Sequence, residues 1–341
     1  MPDALHPNGI AFPDAGPPPG FFPAGPASEL ARLPSAAAAG AAPGTVLADA
    51  RDSARRVEAA LSAVLDRAAG PGTPSRLAAA LRHAVFPGGA RVRPRLCLAV
   101  AAACGDPHPA LSDAAAAAVE LLHCASLVHD DMPCFDDAPL RRGRPSVSAL
   151  FGADLALLAG DALLVAAFEA LAVSGASRPV LLPALLATVA RGAGTPHGIV
   201  AGQGWECERG PVDLAAYQRG KTGALFAAAA TAGAAAAAAD PEPWRRLGEC
   251  LGEAYQVADD FADASGQSAA VLGKLPGRDD LLHRPNAVTE LGADGAAARL
   301  RALTAAAVSA IPPCANPDAL RRLMRHEVDR LLNRSAAVRA A

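Results

Sequence analysis

From Thr45 onward, apolar runs of helical length alternate with short polar or Gly/Pro-rich breaks. The breaks fall at Gly70-Pro71-Gly72, Pro87-Gly88-Gly89, Gly105-Asp106-Pro107, Gly143-Arg144-Pro145, Gly210-Pro211 and Pro241-Glu242-Pro243. Glycine and proline are poor helix-interior residues, and the segments between breaks suit helices of about three to six turns. No stretch shows the two-residue alternation of a half-buried strand. The pattern predicts an all-α fold, a single-domain bundle of about ten or more helices over residues 45–341. Residues 1–44 are rich in Pro, Gly and Ala without apolar periodicity, and are expected to form a disordered tail.

Composition supports helices over sheets. Hydrophobic residues make up 52% of the 341, much of it alanine, while aromatics are only 4%. The net charge of -3 gives no basic surplus for nucleic acid. The 7 cysteines lack CxxC spacing and read as reduced, packed thiols. No charged n-region precedes an apolar stretch at the start, so a cytoplasmic protein without a membrane span is expected. The uncharged segment Thr222 to Ala239 is nearly all alanine with internal glycines, which suits a buried helix of small residues better than a bilayer span.

Charge is concentrated in a few places. His129-Asp130-Asp131-Met132-Pro133-Cys134-Phe135-Asp136-Asp137 follows the apolar run 119–128, and Asp259-Asp260-Phe261-Ala262-Asp263 follows 251–258. Each sets adjacent carboxylates at the end of an apolar helix, which is costly unless they are solvated or bind cations. Asp259 and Asp263 are spaced to share a helix face, whereas Pro133 divides the first cluster between a helix end and the following loop. Oxygen-only donors suit a hard cation such as magnesium, which bridges carboxylates to phosphates. One such pair alone would read as a solvated helix end.

Basic elements accompany both clusters: Gly88-Gly89-Ala90-Arg91-Val92-Arg93-Pro94 before a helix, Arg141-Arg142-Gly143-Arg144-Pro145 after the first cluster, Lys221-Thr222-Gly223 at an expected helix start, and Gly273-Lys274 after the second cluster. Glycine admits close backbone approach, helix starts offer free N–H groups, and arginine grips phosphate with two parallel hydrogen bonds. Acid beside base, twice, is what metal-bridged diphosphate binding requires.

With these motifs in this order, the sequence from about Ala54 to Ala310 resembles the trans-isoprenyl diphosphate synthase family. The two extra residues within the first cluster resemble geranylgeranyl diphosphate synthases of bacteria and plants. Gly202-Gln203-Gly204-Trp205-Glu206 and Arg284-Pro285-Asn286-Ala287-Val288 look most like the purple-bacterial carotenoid enzymes. The resemblance implies the isoprenoid synthase fold with its deep central cavity, a homodimer, and about three magnesium ions per site. It implies that Asp130, Asp136 and Asp259 ligate magnesium, supported by Asp131, Asp260 and Asp263. Arg141, Lys221, Thr222, Gln256 and Lys274 would hold an allylic diphosphate, and Arg93, His123 and Arg142 isopentenyl diphosphate. The chain departs from the family at Ala90, where lysine is usual, at Ala138-Pro139, which replaces two further acids, and at Glu206, where Asp is frequent.

The implied reaction ionises the allylic carbon–oxygen bond, and the double bond of isopentenyl diphosphate attacks the cation. No Ser–His or Cys–His arrangement suggests a covalent nucleophile. A terpene cyclase would lack the second acidic cluster and the Arg motif, and a non-catalytic subunit would tend to lose aspartates. The prenyl tail is expected to grow past Ala125 and Ser126, one turn before Asp130, toward Leu121 and Leu122. The small size of Ala125 and Ser126 predicts a twenty-carbon product, with Leu121 and Leu122 as the floor.

Overall fold

Small side chains set the spacing of the bundle. A computed structural model describes residues 50–208, 213–264 and 286–339. At its centre lies α10 (Ala224–Ala236), whose residues from Leu225 to Ala236 are all buried. Around it pack α3 (Val92–Ala103), α4 (Pro109–Asp130), α7 (Leu182–Ala193) and α11 (Arg245–Ala264). Helix spacing depends on the side chains at the contact, and alanine brings axes close. A Cβ on Gly233 would collide with the backbone carbonyl of Cys97 on α3, and one on Gly248 with that of Phe226 on α10. The alanine content that looks weakly hydrophobic in sequence therefore serves close packing.

Outside this layer, α1 (Ala50–Ala68) and α6 (Ala153–Gly175) pack on α4, with α2 (Ser75–Val85) and α5 (Val147–Phe151) against α6. The chain continues through α8 (Ile199–Gly204), a 3-10 turn and α9 (Leu214–Gln218). Beyond α11, α12 (Ala287–Ser309) and α13 (Pro317–Arg339) close that side. Gly292, at a positive φ of 68°, kinks α12. Residues 1–44 lie outside the described residues.

The helical prediction holds, with three local differences. A short hairpin, β1 (Leu140–Arg141) and β2 (Arg144–Pro145), pairs antiparallel with Leu140 opposite Pro145. Its strands are too short to carry an alternation signal. Its turn residues Arg142 and Gly143 have φ of 54° and 74°, the left-handed pair that a two-residue hairpin loop requires. Second, Lys221-Thr222-Gly223 does not open a helix: Arg219–Gly223 forms a π turn joining α9 to α10, so the N–H groups here are not the free ones of a helix start. Third, among the described residues the helices long and apolar enough to cross a membrane are α4 and α6, not the 222–239 segment, whose helix α10 has only 13 residues. The apolar window of α4 is 83% buried inside the bundle, as befits a core helix, against 44% for α6.

Candidate diphosphate site

The C-terminal end of α4 carries the first cluster. Asp130 is its last residue; the loop then turns back so that the Asp136 N–H donates to the Asp130 carbonyl at 2.8 Å. Helix end plus loop is what Pro133 foretold. The last turns of α11 carry Asp259 and Asp260, and the helix runs through Ala264. The side chain of Asp263, and Lys274 entirely, lie outside the described residues.

The π turn reaches the first cluster directly and the second through Gln256. Lys221 Nζ lies 3.6 Å from Asp130 Oδ2 and donates to Glu206 Oε1 at 2.6 Å. The next residue, Thr222, donates from Oγ1 to Gln256 Oε1 at 2.7 Å, and Gln256 Nε2 donates to Asp260 Oδ1 at 2.9 Å. Two consecutive residues therefore link acidic ends borne on different helices. A π turn widens the helix by one residue, and such turns concentrate at functional sites. Glu206 also accepts from the Tyr217 hydroxyl at 2.8 Å, so the acid that departs from the family holds Lys221 in place. Gln203, which the sequence offers only as part of a family-like phrase and without a role, donates from Nε2 to the Ser126 carbonyl at 2.9 Å and to Asp130 Oδ1 at 3.3 Å.

In each acidic pair the second carboxylate is engaged by the protein. Asp131 is buried and clasped by Arg141 through both Nε and Nη2. Burial pushes the Asp131 carboxyl up, Arg141 opposes this, and the neighbouring charges of Asp130 and Asp136 reinforce it. Burial weakens the charge on Arg141, but Asp131, Asp130 and Asp136 outweigh it and raise its basicity. Asp260, also buried, accepts the backbone N–H of Ala287 at 2.8 Å and so anchors the start of α12 to α11. Asp259 is exposed and acts electrostatically on Arg93.

A second cationic group lies across the site. Arg93, in the first turn of α3, stacks its guanidinium 4.3 Å from the Phe226 ring centre and donates from Nη1 toward His123 Nε2 at 3.4 Å. Burial lowers the basicity of Arg93 and, with Arg93, Arg142, Arg141 and Arg91 nearby, holds His123 well below its ordinary range. His123 is therefore neutral near pH 7. Because its Nε2 accepts, its proton sits on Nδ1. Both His123 Nδ1 and Arg93 Nε are buried donors without a hydrogen-bond partner among the described residues. Buried donors of this kind are costly while they lack an acceptor.

The Gly-Gly turn is shaped by the arginines it holds. A Cβ on Gly88 would overlap the Arg91 guanidinium, and one on Gly89 would lie 3.0 Å from that of Arg142. Arg91, in a left-handed conformation at φ 50°, turns inward. It donates to Glu58 Oε1 and Glu120 Oε1 at 2.8 Å each and to the Val85 carbonyl at 2.8 Å. It does not stand in for the lysine absent at Ala90, which is exposed. Gly88, Asp131, Arg141, Arg142 and Arg144 line one small cleft of about 100 Å3 against α4.

Of the residues singled out in the sequence, the structure brings together Asp130, Asp131 and Asp136 at one end, and Asp259, Asp260 and Gln256 at the other, with Lys221 and Thr222 between. Among the described residues no three His, Cys, Asp or Glu side chains form a ready-made cage for a metal ion. The carboxylate oxygens are instead spread over two helix ends. That donor set fits a hard cation that completes its coordination with water and phosphate oxygens, as magnesium does.

A helical bundle with two carboxylate-bearing helix ends, a bridging lysine and unsatisfied buried donors is built to handle diphosphates. The chain belongs to the polyprenyl synthetase family, whose profile matches residues 74–304. It is 50% identical over 285 residues to a geranylgeranyl diphosphate synthase of Cereibacter sphaeroides, covering 84% of this chain and 98% of that one. To the enzyme of the same name from Rhodobacter capsulatus it is 48% identical, covering 76% and 89%. Among solved structures, an FPP/GFPP synthase of Zymomonas mobilis superposes with a TM-score of 0.69 at 28% identity, over 82% of this chain and 100% of that one. A geranyltransferase of Helicobacter pylori, complexed with magnesium and isoprenyl diphosphate, gives 0.67 at 26%, over 83% and 96%. The isoprenoid synthase fold expected from the motifs is the fold observed.

Proposed function

We propose that this chain is a geranylgeranyl diphosphate synthase. It would condense an allylic diphosphate, chiefly farnesyl diphosphate but also shorter ones, with isopentenyl diphosphate, releasing diphosphate, for carotenoid and wider isoprenoid biosynthesis. The observation that carries this reading is the pair Lys221 and Thr222, which link the two acidic helix ends and place a cation where an allylic diphosphate would lie.

Asp130, Asp136 and Asp259 would hold magnesium, about three ions in all, with Asp131 and Asp260 bracing the clusters. Bound there, magnesium supplies Lewis-acid neutralisation of the charge that develops on a leaving diphosphate. Lys221 and Arg141 add fixed positive charge at the same end, stabilising the leaving group as the carbon–oxygen bond breaks. Arg93, Arg142 and neutral His123 would grip isopentenyl diphosphate and hold its double bond against the allylic carbon. The proton lost after bond formation would pass to the departing diphosphate.

Chain length would be set along α4. Ala125, Leu121 and Leu122 are buried on the approach to Asp130, and the small Ala125 and Ser126 would let a tail longer than fifteen carbons pass. A homodimer is supported by the outer side of α6 and α5. There Leu150, Leu157, Leu158, Val165 and Val173 are all exposed, and a face of this kind needs a partner. We read the enzyme as cytoplasmic. Feeding dimethylallyl, geranyl and farnesyl diphosphates separately, with labelled isopentenyl diphosphate, tests the reading. All three should end at geranylgeraniol after dephosphorylation, and products stopping at farnesol would contradict it.

A further inference from the structure

Behind the π turn, on the side of α10 facing α7 and the start of α11, lies a cavity of about 780 Å3. It is separate from the diphosphate site: neither Lys221, Thr222 nor any of the clustered aspartates lines it. Its floor is a strip of small groups on α10, Ala224, Ala227, Ala228 and Thr231, one face of the helix by their spacing. Pockets of this size accept ligands as large as a long-chain lipid phosphate.

The rim is cationic in an uneven way. Of the acids that line it, Glu249 is paired with Arg246 and Glu253 with Arg299, while Asp213 accepts the Ala216 backbone N–H. Arg245 is held by Glu242. The exposed Arg191 and Arg219 side chains make no hydrogen bond or ion pair among the described residues, apart from the distant attraction between Arg191 and Glu242. Two uncommitted guanidiniums over an apolar floor match a ligand with an anionic head and a hydrocarbon tail.

The back wall includes Gly220 and Gly223, which flank Lys221 and Thr222 in the same turn. A ligand here would press on the backbone that positions both. We propose that this cavity is a second, non-catalytic site for a prenyl diphosphate, and that its occupant acts on turnover through the π turn. The identity of the ligand rests on the function proposed above; the site itself rests on the cavity and on Arg191 and Arg219, whose side chains are unpaired among the described residues.

The test is equilibrium binding of geranylgeranyl diphosphate to the full chain with magnesium. Wild type should bind two molecules per chain, and Arg191→Glu, whose side chain is exposed on α7 and remote from the aspartates, should bind one while keeping wild-type turnover at low product. Added geranylgeranyl diphosphate should inhibit wild type noncompetitively against farnesyl diphosphate, and Arg191→Glu only competitively. Inorganic diphosphate should occupy the second site at least tenfold more weakly. One molecule per chain in wild type, two in Arg191→Glu, purely competitive inhibition of wild type, or equal affinity for inorganic diphosphate would each overturn the proposal. An active elongating enzyme with one binding site refutes only this inference; two sites in a chain that does not elongate refute only the proposed activity.

Discussion

Arg91 donates from Nη1 to Glu120 Oε1 at 2.8 Å, with both side chains buried. This ion pair, completed by Glu58, pins the Gly88-Gly89 turn against α4. It commits Arg91 to structure and leaves the position of Ala90 without a cation. Ala90→Lys should therefore lower KM for isopentenyl diphosphate several-fold with kcat little changed, since a contact made equally in ground and transition states acts on binding. An unchanged or higher KM would show that another group already fills that role.

The same pair should matter for stability. Removing one partner of a buried pair leaves an uncompensated charge and costs about 3–5 kcal/mol. Arg91→Ala should lower the midpoint of denaturant unfolding accordingly, even without substrate. A loss below about 1 kcal/mol, the range of exposed pairs, would contradict the buried geometry.

Within each acidic pair, the two aspartates should separate by phenotype. Asp259→Ala, at an exposed position, should abolish most turnover with little change in unfolding midpoint, and Asp130→Ala and Asp136→Ala should likewise abolish most turnover. Asp260→Ala strips acceptors from Gln256 and from the buried start of α12, and should cost about 1–3 kcal/mol as well as activity. Near-normal rates in the first three, or unaltered stability in Asp260→Ala, would break the division.

What the sequence showed and what it hid follow from range. The acidic clusters, the Arg motifs and the helix breaks are local, so residue type and spacing exposed them. Pro133 even placed the end of α4. The bridging role of the 221–222 step was hidden because Lys221 reaches Asp130, 91 positions back, and Thr222 reaches Gln256, 34 positions on, through one turn, and the spacing of Lys221 suggested a helix start rather than a π turn. Glu120 was missed as well, and Gln203 was quoted without its role. The one signal for Glu120 was an acid inside the otherwise apolar 114–122 run, where a buried charge demands a distant partner. The hairpin at 140–145 was too short for periodicity, although Arg-Gly at its tip agrees with its turn.

His123 gives a pH signature. Burial and the surrounding arginines hold its folded pKa well below the ordinary histidine value of about 6.5. Between those two values the unfolded chain binds more protons than the folded one, so stability rises with pH in that window and is lost as pH falls below about 6.5. Substrate-free wild type should show this decline in thermal midpoint, and His123→Gln should flatten it. Equal slopes in both would remove His123 from the account.

Ala125→Tyr should shorten the product to farnesyl diphosphate, because a ring one turn below Asp130 would block the tail while leaving ionisation intact. Elongation of dimethylallyl diphosphate to fifteen carbons serves as the control for folding. Geranylgeraniol from this variant would place the floor elsewhere.

The most direct test of the whole account is incubation of the purified chain with farnesyl diphosphate and labelled isopentenyl diphosphate, with magnesium and with excess chelator, followed by dephosphorylation and chromatography. The expected result is labelled geranylgeraniol with magnesium and none with chelator. No labelled alcohol under either condition, or equal yield under both, would contradict a metal-assisted prenyl transfer between the two aspartate-bearing helix ends.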